Sequence, residues 1–275
     1  MGEAEITKIG IFYLHDAYTE EAAKELSNFF TKKGVEVYFK EDIERIESSD
    51  RALIISLGGD GTFLRASHIA LDKRLPVLGI NLGSLGFLTD VEGIDINSVA
   101  ETLIKGNFYV EERNVLKAII VGESKEKETV YAVNDVVLLR SVTDKILQLE
   151  LTVNGMNVGR FRADGLVFST STGSTAYSLS LGGPIVVPQA PVFSLVFVAP
   201  HKLSVRPIIF SLEDRVSARI LSSGNFSFQR DGEEIFKLGL YDRFCVEKGE
   251  YNLKIVHLKQ KNFFEVLNKK FEWGI

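Results

Sequence analysis

The chain has 275 residues, 45% apolar and 25% charged, enough for one large domain or two modest ones with ordinary globular cores. Its net charge of −5 argues against a generic nucleic-acid binder, which would carry a basic surplus. The lone Cys245 excludes an intramolecular disulfide and fits a reducing cytoplasm.

The acidic start, Met1–Thr7, lacks the basic-then-apolar form of a signal peptide, so a cytoplasmic chain is expected. Lys8–Leu14 reads as a buried strand and Thr19–Lys33 as an amphipathic helix closed by Gly34. Val35–Phe39 is strand-like, Leu53–Leu57 is a strand, Thr62–Leu71 is helical, Pro76–Ile80 is a strand and Ile96–Lys105 is helical. This alternation predicts a parallel, Rossmann-like sheet, which binds ligands beyond the carboxyl ends of its strands. Two glycine clusters, 58–61 and 79–86, fall at such ends.

Near residue 106 the pattern changes. Strands are predicted at Tyr109–Val121, Val130–Arg140, Ile146–Val153, Leu166–Ser169, Ser194–Val198 and Val216–Leu221. Turns separate them at 122–128, Asn154-Gly155, 222–225 and Asp231-Gly232, and Asn-Gly and Asp-Gly are strong hairpin signals. The apolar run Val192–Pro200 is far short of a bilayer span, so no membrane partner is expected. The predicted fold is an α/β N-terminal domain over 1–105 and an all-β, sandwich-like domain over 106–250. The helical stretch Asn262–Lys270 suggests that 251–275 returns to the first domain.

Gly58-Gly59-Asp60-Gly61-Thr62 joins a strand to a helix, where glycines allow close backbone approach and a helix N-terminus attracts anions. A P-loop needs a Gly-Lys pair, which this chain lacks, and a dinucleotide fingerprint needs glycine where Leu64 stands. What distinguishes the turn is its acid. Asp60 is compatible with a base that takes a proton from an attacking hydroxyl beside bound phosphates, and equally with a helix N-cap.

Asn134-Asp135 interrupts an apolar strand run, which costs free energy unless both groups find partners. A ribose diol would supply such partners, and a bulge or strand-end turn is the structural alternative. In Arg160–Pro184, seven Ser or Thr crowd between Ser169 and Ser178 around Gly173, with Tyr177 able to stack on a base. Arg162 and Asp164 would share a face if this segment is one strand.

Together the GGDGT turn, Asn134-Asp135, Asp164–Pro184 and Ala199–Pro207 resemble the NAD kinase family, in that family's order. GGDGT alone is shared with diacylglycerol kinases, sphingosine kinases and phosphofructokinases; the two downstream segments narrow the match. The resemblance implies ATP-dependent phosphorylation of the 2′-hydroxyl on the adenosine ribose of NAD. Asp60 would be the proton acceptor, flanked by Gly59 and Gly61, and Asn134 and Asp135 would hold the ribose and neighbouring groups. Arg162 and Asp164 would lie at the substrate, Thr172 among the ligand-binding residues, and Thr175, Ala176, Tyr177, Ser178, Leu179 and Ser180 along the adenine pocket. Arg65 and Lys145 match positions that tend to be basic in the family and would reach phosphates, or else are solvated surface charges; Ala199 and Gln229 are weaker candidates.

With Asp60 as base, the four histidines, His15, His68, His201 and His257, are read as structural. No protein-held metal site is expected, only Mg²⁺ or Mn²⁺ carried by ATP. The family usually forms dimers or tetramers, so a homo-oligomer is expected. Two other readings stay open: a lipid or sugar kinase with the same turn, and a non-catalytic dinucleotide sensor.

Overall fold

Six consecutive buried residues, Ala52–Leu57, make the strand around which the first sheet is built. The computed structural model describes the chain apart from residues 1–5, 15–16, 50, 84–85, 90, 93–95, 123–127 and 274–275. His15, part of the second glycine cluster and most of the 122–128 turn therefore lie outside the described residues. The chain divides into two compact units, Met1–Glu112 with Leu253–Ile275, and Arg113–Asn252.

The first unit begins with β1 (Lys8–Tyr13), α1 (Ala17–Lys32), β2 (Glu36–Phe39), β3 (Ala52–Leu57), α2 (Asp60–Lys73), β4 (Val77–Asn81), the short β5 (Val91–Glu92), α3 (Ile96–Ile104) and β6 (Tyr109–Arg113). Helix α1 buries Ala22, Ala23, Leu26 and Phe30, an apolar stripe at the helical period. Gly34 then turns the chain at φ +78°, a conformation that glycine adopts without a Cβ clash. β1 lies between β2 and β3, and β4 follows β3, all in parallel register. The order β2-β1-β3-β4 reverses direction between β1 and β3, and a doubly wound sheet opens its ligand crevice at such a reversal.

In the second unit the strands are β7 (Leu116–Val121), β8 (Glu128–Ala132), β9 (Asp135–Leu139), β10 (Leu147–Val153), β11 (Met156–Ala163) and β12 (Gly165–Thr170). The short helix α4 (Tyr177–Ser180) precedes β13 (Val192–Val198), β14 (Ile208–Ser211), β15 (Val216–Ile220), β16 (Phe226–Arg230), β17 (Glu233–Leu238) and β18 (Arg243–Lys248). They form two six-stranded sheets, ordered β11-β10-β15-β18-β7-β8 and β14-β13-β12-β9-β16-β17. Phe244 of the first sheet meets Phe168 and Phe228 of the second edge-on at 6.0 and 5.2 Å, inside one shared apolar core. Asn154 and Gly155, like Asp231 and Gly232, take positive φ and close two-residue hairpins, as their sequences predict.

The chain then adds β19 (Leu253–His257), parallel to β4 with β6 on its far side, and ends in α5 (Phe263–Phe271). The α/β plus all-β sandwich fold is as expected, with corrections inside it. The run Tyr109–Val121 is two strands, β6 in the first unit's sheet and β7 in the second's. The run Val130–Arg140 breaks at Val133-Asn134, where the chain passes from one sheet of the sandwich to the other. The polar pair Asn134-Asp135 marks the break, but nothing in the run shows that its two halves enter different sheets. β11, β14, β16, β17, β18 and β19 have no counterpart among the predicted strands; β11 is an edge strand whose mostly exposed residues have no apolar period to read. Among the described residues no helix is long and apolar enough to cross a membrane.

Candidate active site

After β3 the chain turns at Gly58, where φ is +140° and a Cβ would lie 2.7 Å from Thr62 Oγ1, so the turn requires glycine. Gly59 is the N-cap of α2, and Asp60 is the first helical residue. The Asp60 side chain does not cap its own helix. It accepts hydrogen bonds from the backbone N–H groups of Phe87 (2.9 Å, Oδ2) and Leu88 (3.2 Å, Oδ1) and from the Thr89 hydroxyl (3.4 Å, Oδ1). A Cβ on Gly86 would lie 2.1 Å from Asp60 Oδ1, so the close approach of this loop depends on that glycine.

Asn81, buried at the end of β4, donates to Thr89 Oγ1 at 3.1 Å and accepts from Gly83 N–H at 2.8 Å. Lys261 donates to the carbonyls of Phe87 and Thr89, both at 2.9 Å. The two glycine clusters thus make one structure at the carboxyl ends of β3 and β4. Gly59 and Gly61 are exposed beside the acid, and Arg65 is exposed one turn along α2. Sequence reading missed Asn81, Thr89 and Lys261. Only the glycine cluster hinted at the loop, whereas Lys261 lies 174 residues from Phe87.

In the second unit, Asn134 and Asp135 form the corner between β8 and β9. Asp231 holds this corner, its carboxylate accepting from the N–H groups of Val133 (2.8 Å), Asn134 (2.7 Å) and Asp135 (2.9 Å). Gly173 packs against it so closely that a Cβ would stand 2.1 Å from Asn134 O. Asp135 is 4% exposed. Burial, assisted by the nearby Asp231 charge, pushes its pKa up to about 7. The strand-end turn that was the structural alternative is thus present, with Asp135 buried at its edge.

Most hydroxyls of the Ser- and Thr-rich segment build the loop instead of facing outward. Thr170 donates to Val133 O and accepts from Gly173 N–H, Ser171 donates to Ala190 O at 2.6 Å, and Ser174 donates to Ser171 O at 2.8 Å. Thr172 is buried and accepts from Arg113, and Thr175 donates weakly to Thr172 O at 3.4 Å. The Ser178 hydroxyl is fully buried with no partner among the described residues, while Tyr177 and Ser180 are exposed and Ala176 and Leu179 half-buried.

Arg162 and Asp164 do not share a strand face. β11 ends at Ala163, and Asp164 sits at the bend before β12, bonded to Arg140 Nε at 2.5 Å. Arg140, which belongs to no sequence motif, also donates to the carbonyls of Ser141, Val142 and Asp144 and so shapes the loop leading to exposed Lys145. Arg162 lines a cavity of about 1030 Å³ with Gln148, His201 and Tyr241, and the Asn134–Asp135 corner is not part of it. Ala199 holds φ +43°, rare without glycine, and Gln229 donates to Ser227 Oγ at 2.9 Å. His257 pairs with Glu111 at 2.9 Å under the Tyr109 ring, the structural role expected of it. Among the described residues no three His, Cys, Asp or Glu gather as a metal site.

Residues 10–108 match the family model for the ATP-NAD kinase N-terminal domain, and 133–258 match that for the ATP-NAD kinase C-terminal domain. An NAD kinase of Bacteroides fragilis is 36% identical over 248 residues, covering 89% of this chain and 84% of the relative. The chain belongs to the NAD kinase family. An NAD kinase of Methanothermobacter thermautotrophicus is 34% identical over 281 residues, covering 98% of both chains. Among solved structures, an Archaeoglobus fulgidus NAD kinase in complex with ATP superimposes with a TM-score of 0.76 at 25% identity, covering 96% of this chain and 98% of that one. Yeast NADH kinase complexed with NADH gives a TM-score of 0.87 at 24% identity, covering 98% and 88%, a likeness of fold. The GGDGT turn falls within the N-terminal match of this NAD kinase-family chain, and the Asp135 corner falls within the C-terminal one.

Proposed function

We propose that the chain transfers the terminal phosphoryl group of ATP to the 2′-hydroxyl of the adenosine ribose of NAD, with Asp60 as the base. The observation that carries this reading is the bonding of the Asp60 carboxylate. Of roughly four lone-pair sites on a carboxylate, those on Oδ1 accept from Leu88 and Thr89, and Oδ2 accepts, among the described residues, from Phe87 alone. Among the described residues Oδ2 therefore keeps a site for the proton of the attacking hydroxyl. Gly59, Gly61 and the first N–H groups of α2 suit the donor's phosphates, with Arg65 and Lys145 as further phosphate contacts.

In this reading the first unit carries the phosphoryl-transfer machinery and the second binds NAD. Asp135 accepts from ribose hydroxyls, and Asn134, whose side chain has no partner among the described residues, donates and accepts beside it. Thr172 and Thr175 through Ser180 line the adenine, with the exposed Tyr177 ring available to stack. Arg162 and Asp164 contact the rest of the substrate, and Ala199 and Gln229 lie at its margin.

A magnesium or manganese ion borne by ATP fits this donor set, because the turn offers a single carboxylate whose oxygens are largely taken by loop donors. When bound, such an ion neutralises charge on the transferring phosphoryl group. The chain is proposed to work in the cytoplasm as a homo-oligomer, a dimer or tetramer, which light scattering would measure.

Incubation with MgATP and NAD, followed by detection of NADP, tests the activity. Asp60→Asn is expected to retain NAD binding and lose about 10²–10⁴-fold in turnover. Near-normal turnover in that variant would remove Asp60 from the role of base.

A further inference from the structure

The loop that grips Asp60 is itself gripped from its other side. The Lys261 ammonium donates to Phe87 O and Thr89 O at 2.9 Å each. Phe87 C=O and Leu88 N–H belong to the same peptide group, and that N–H donates to Asp60 Oδ1 at 3.2 Å. A cation bound at the oxygen of an amide polarises the whole group and strengthens the bond its hydrogen makes. The rings of Phe263 and Phe271, on the helix that follows Lys261, lie 6.5 and 5.9 Å from that of Phe87. The segment is further anchored where Lys261 N–H donates to Tyr109 Oη at 2.8 Å. One stretch of chain near the C-terminus therefore fixes both the backbone and the side chain of the Asp60-binding loop.

We propose that Lys261 is a positioning residue for phosphoryl transfer, acting through the 87–88 peptide to hold Asp60 with Oδ2 turned toward the acceptor hydroxyl. The proposal rests on Asp60 being the base. A merely structural Lys261 would staple the C-terminal segment to the loop and affect catalysis only through loss of folded protein.

A double-mutant cycle on the full chain, assayed with MgATP and NAD, separates these roles. Lys261→Met is expected to lower kcat by about tenfold with KM for NAD within about twofold, and Lys261→Arg to restore most of the loss. In an Asp60→Asn background, the same Met substitution is expected to change the residual turnover by less than about twofold, because its target is gone. An equal loss in both backgrounds, an effect confined to KM, or no loss at all would overturn the proposal while leaving Asp60 as base. Full turnover by Asp60→Asn alone would overturn the base assignment first, and this proposal with it. Should the Met variant not fold, Lys261→Gln, which keeps a donor without the charge, completes the same cycle under the same criteria.

Discussion

Replacing Asp135 with Asn should make the protein more stable, and increasingly so as pH rises. Asp135 is 4% exposed, and burial followed by the Asp231 charge raises its pKa from 3.8 to about 7. For an acid raised on folding, the native state binds more protons than the unfolded chain between those two values, so stability falls as pH climbs through that window. At about 1.4 kcal/mol per pH unit, the whole window is worth about 4 kcal/mol, of which roughly 2.5 kcal/mol is lost between pH 5 and pH 8. Below pH 3.8 both states hold the proton, and above pH 7 both have lost it, so the effect is flat outside the window. Asn keeps the shape of the side chain and does not titrate. Urea unfolding of both proteins, followed by circular dichroism at pH 5 and pH 8, should show the stability gap widening by roughly 2.5 kcal/mol in favour of Asp135→Asn. A gap that stays constant across that range would refute the reasoning. The same variant should bind NAD more weakly at pH 8, since ribose hydroxyls donate to the charged carboxylate best.

Gly173→Ala would place a Cβ 2.1 Å from Asn134 O, so it should cost about 2 kcal/mol or more and weaken NAD binding by calorimetry. Arg140→Met would strip Asp164 of its guanidinium and the 141–144 loop of its carbonyl anchors; KM for NAD should rise by about tenfold with kcat within about threefold. The Glu250 carboxylate, bonded by Lys117 and Tyr131, is pulled down to about 2. Its stabilising contribution is present above pH 4.5 and fades as pH falls toward 2. Because its side chain is 47% exposed, Glu250→Gln should cost less than about 1 kcal/mol at pH 7, a gap that urea titrations should find shrinking in high salt and toward pH 3.

Much of the site was legible because its chemistry is local. Strand, glycines, acid and helix follow one another over a dozen residues, so the GGDGT turn announces a helix N-terminus at a strand end. Asn-Gly and Asp-Gly likewise announced their hairpins, since positive φ is a property of those residues and not of their neighbours. The interruption of an apolar run by Asn134-Asp135 marked a place where polar groups need partners. The density of hydroxyls did not say which of them are spent on the loop itself. Ser171, Ser174 and Thr170 are consumed in closing their own loop, which a linear pattern does not disclose.

What the sequence determined by itself, then, was the α/β and all-β character of its two parts, the glycine turn between strand and helix, and the family whose motifs it carries. Tertiary structure alone decided which groups serve the acid. Thr89 reaches Asp60, Asn81 reaches Thr89, and Lys261 reaches the Phe87 and Thr89 carbonyls only once β4, its following loop and the C-terminal segment are packed together. Asp231 reaches the 133–135 amides across 96 to 98 residues of chain in the same way. Propensity and periodicity act between neighbours within a few residues, whereas the hydrogen bonds that orient a carboxylate depend on distances in space. Only the folded chain brings those distances below 3.5 Å.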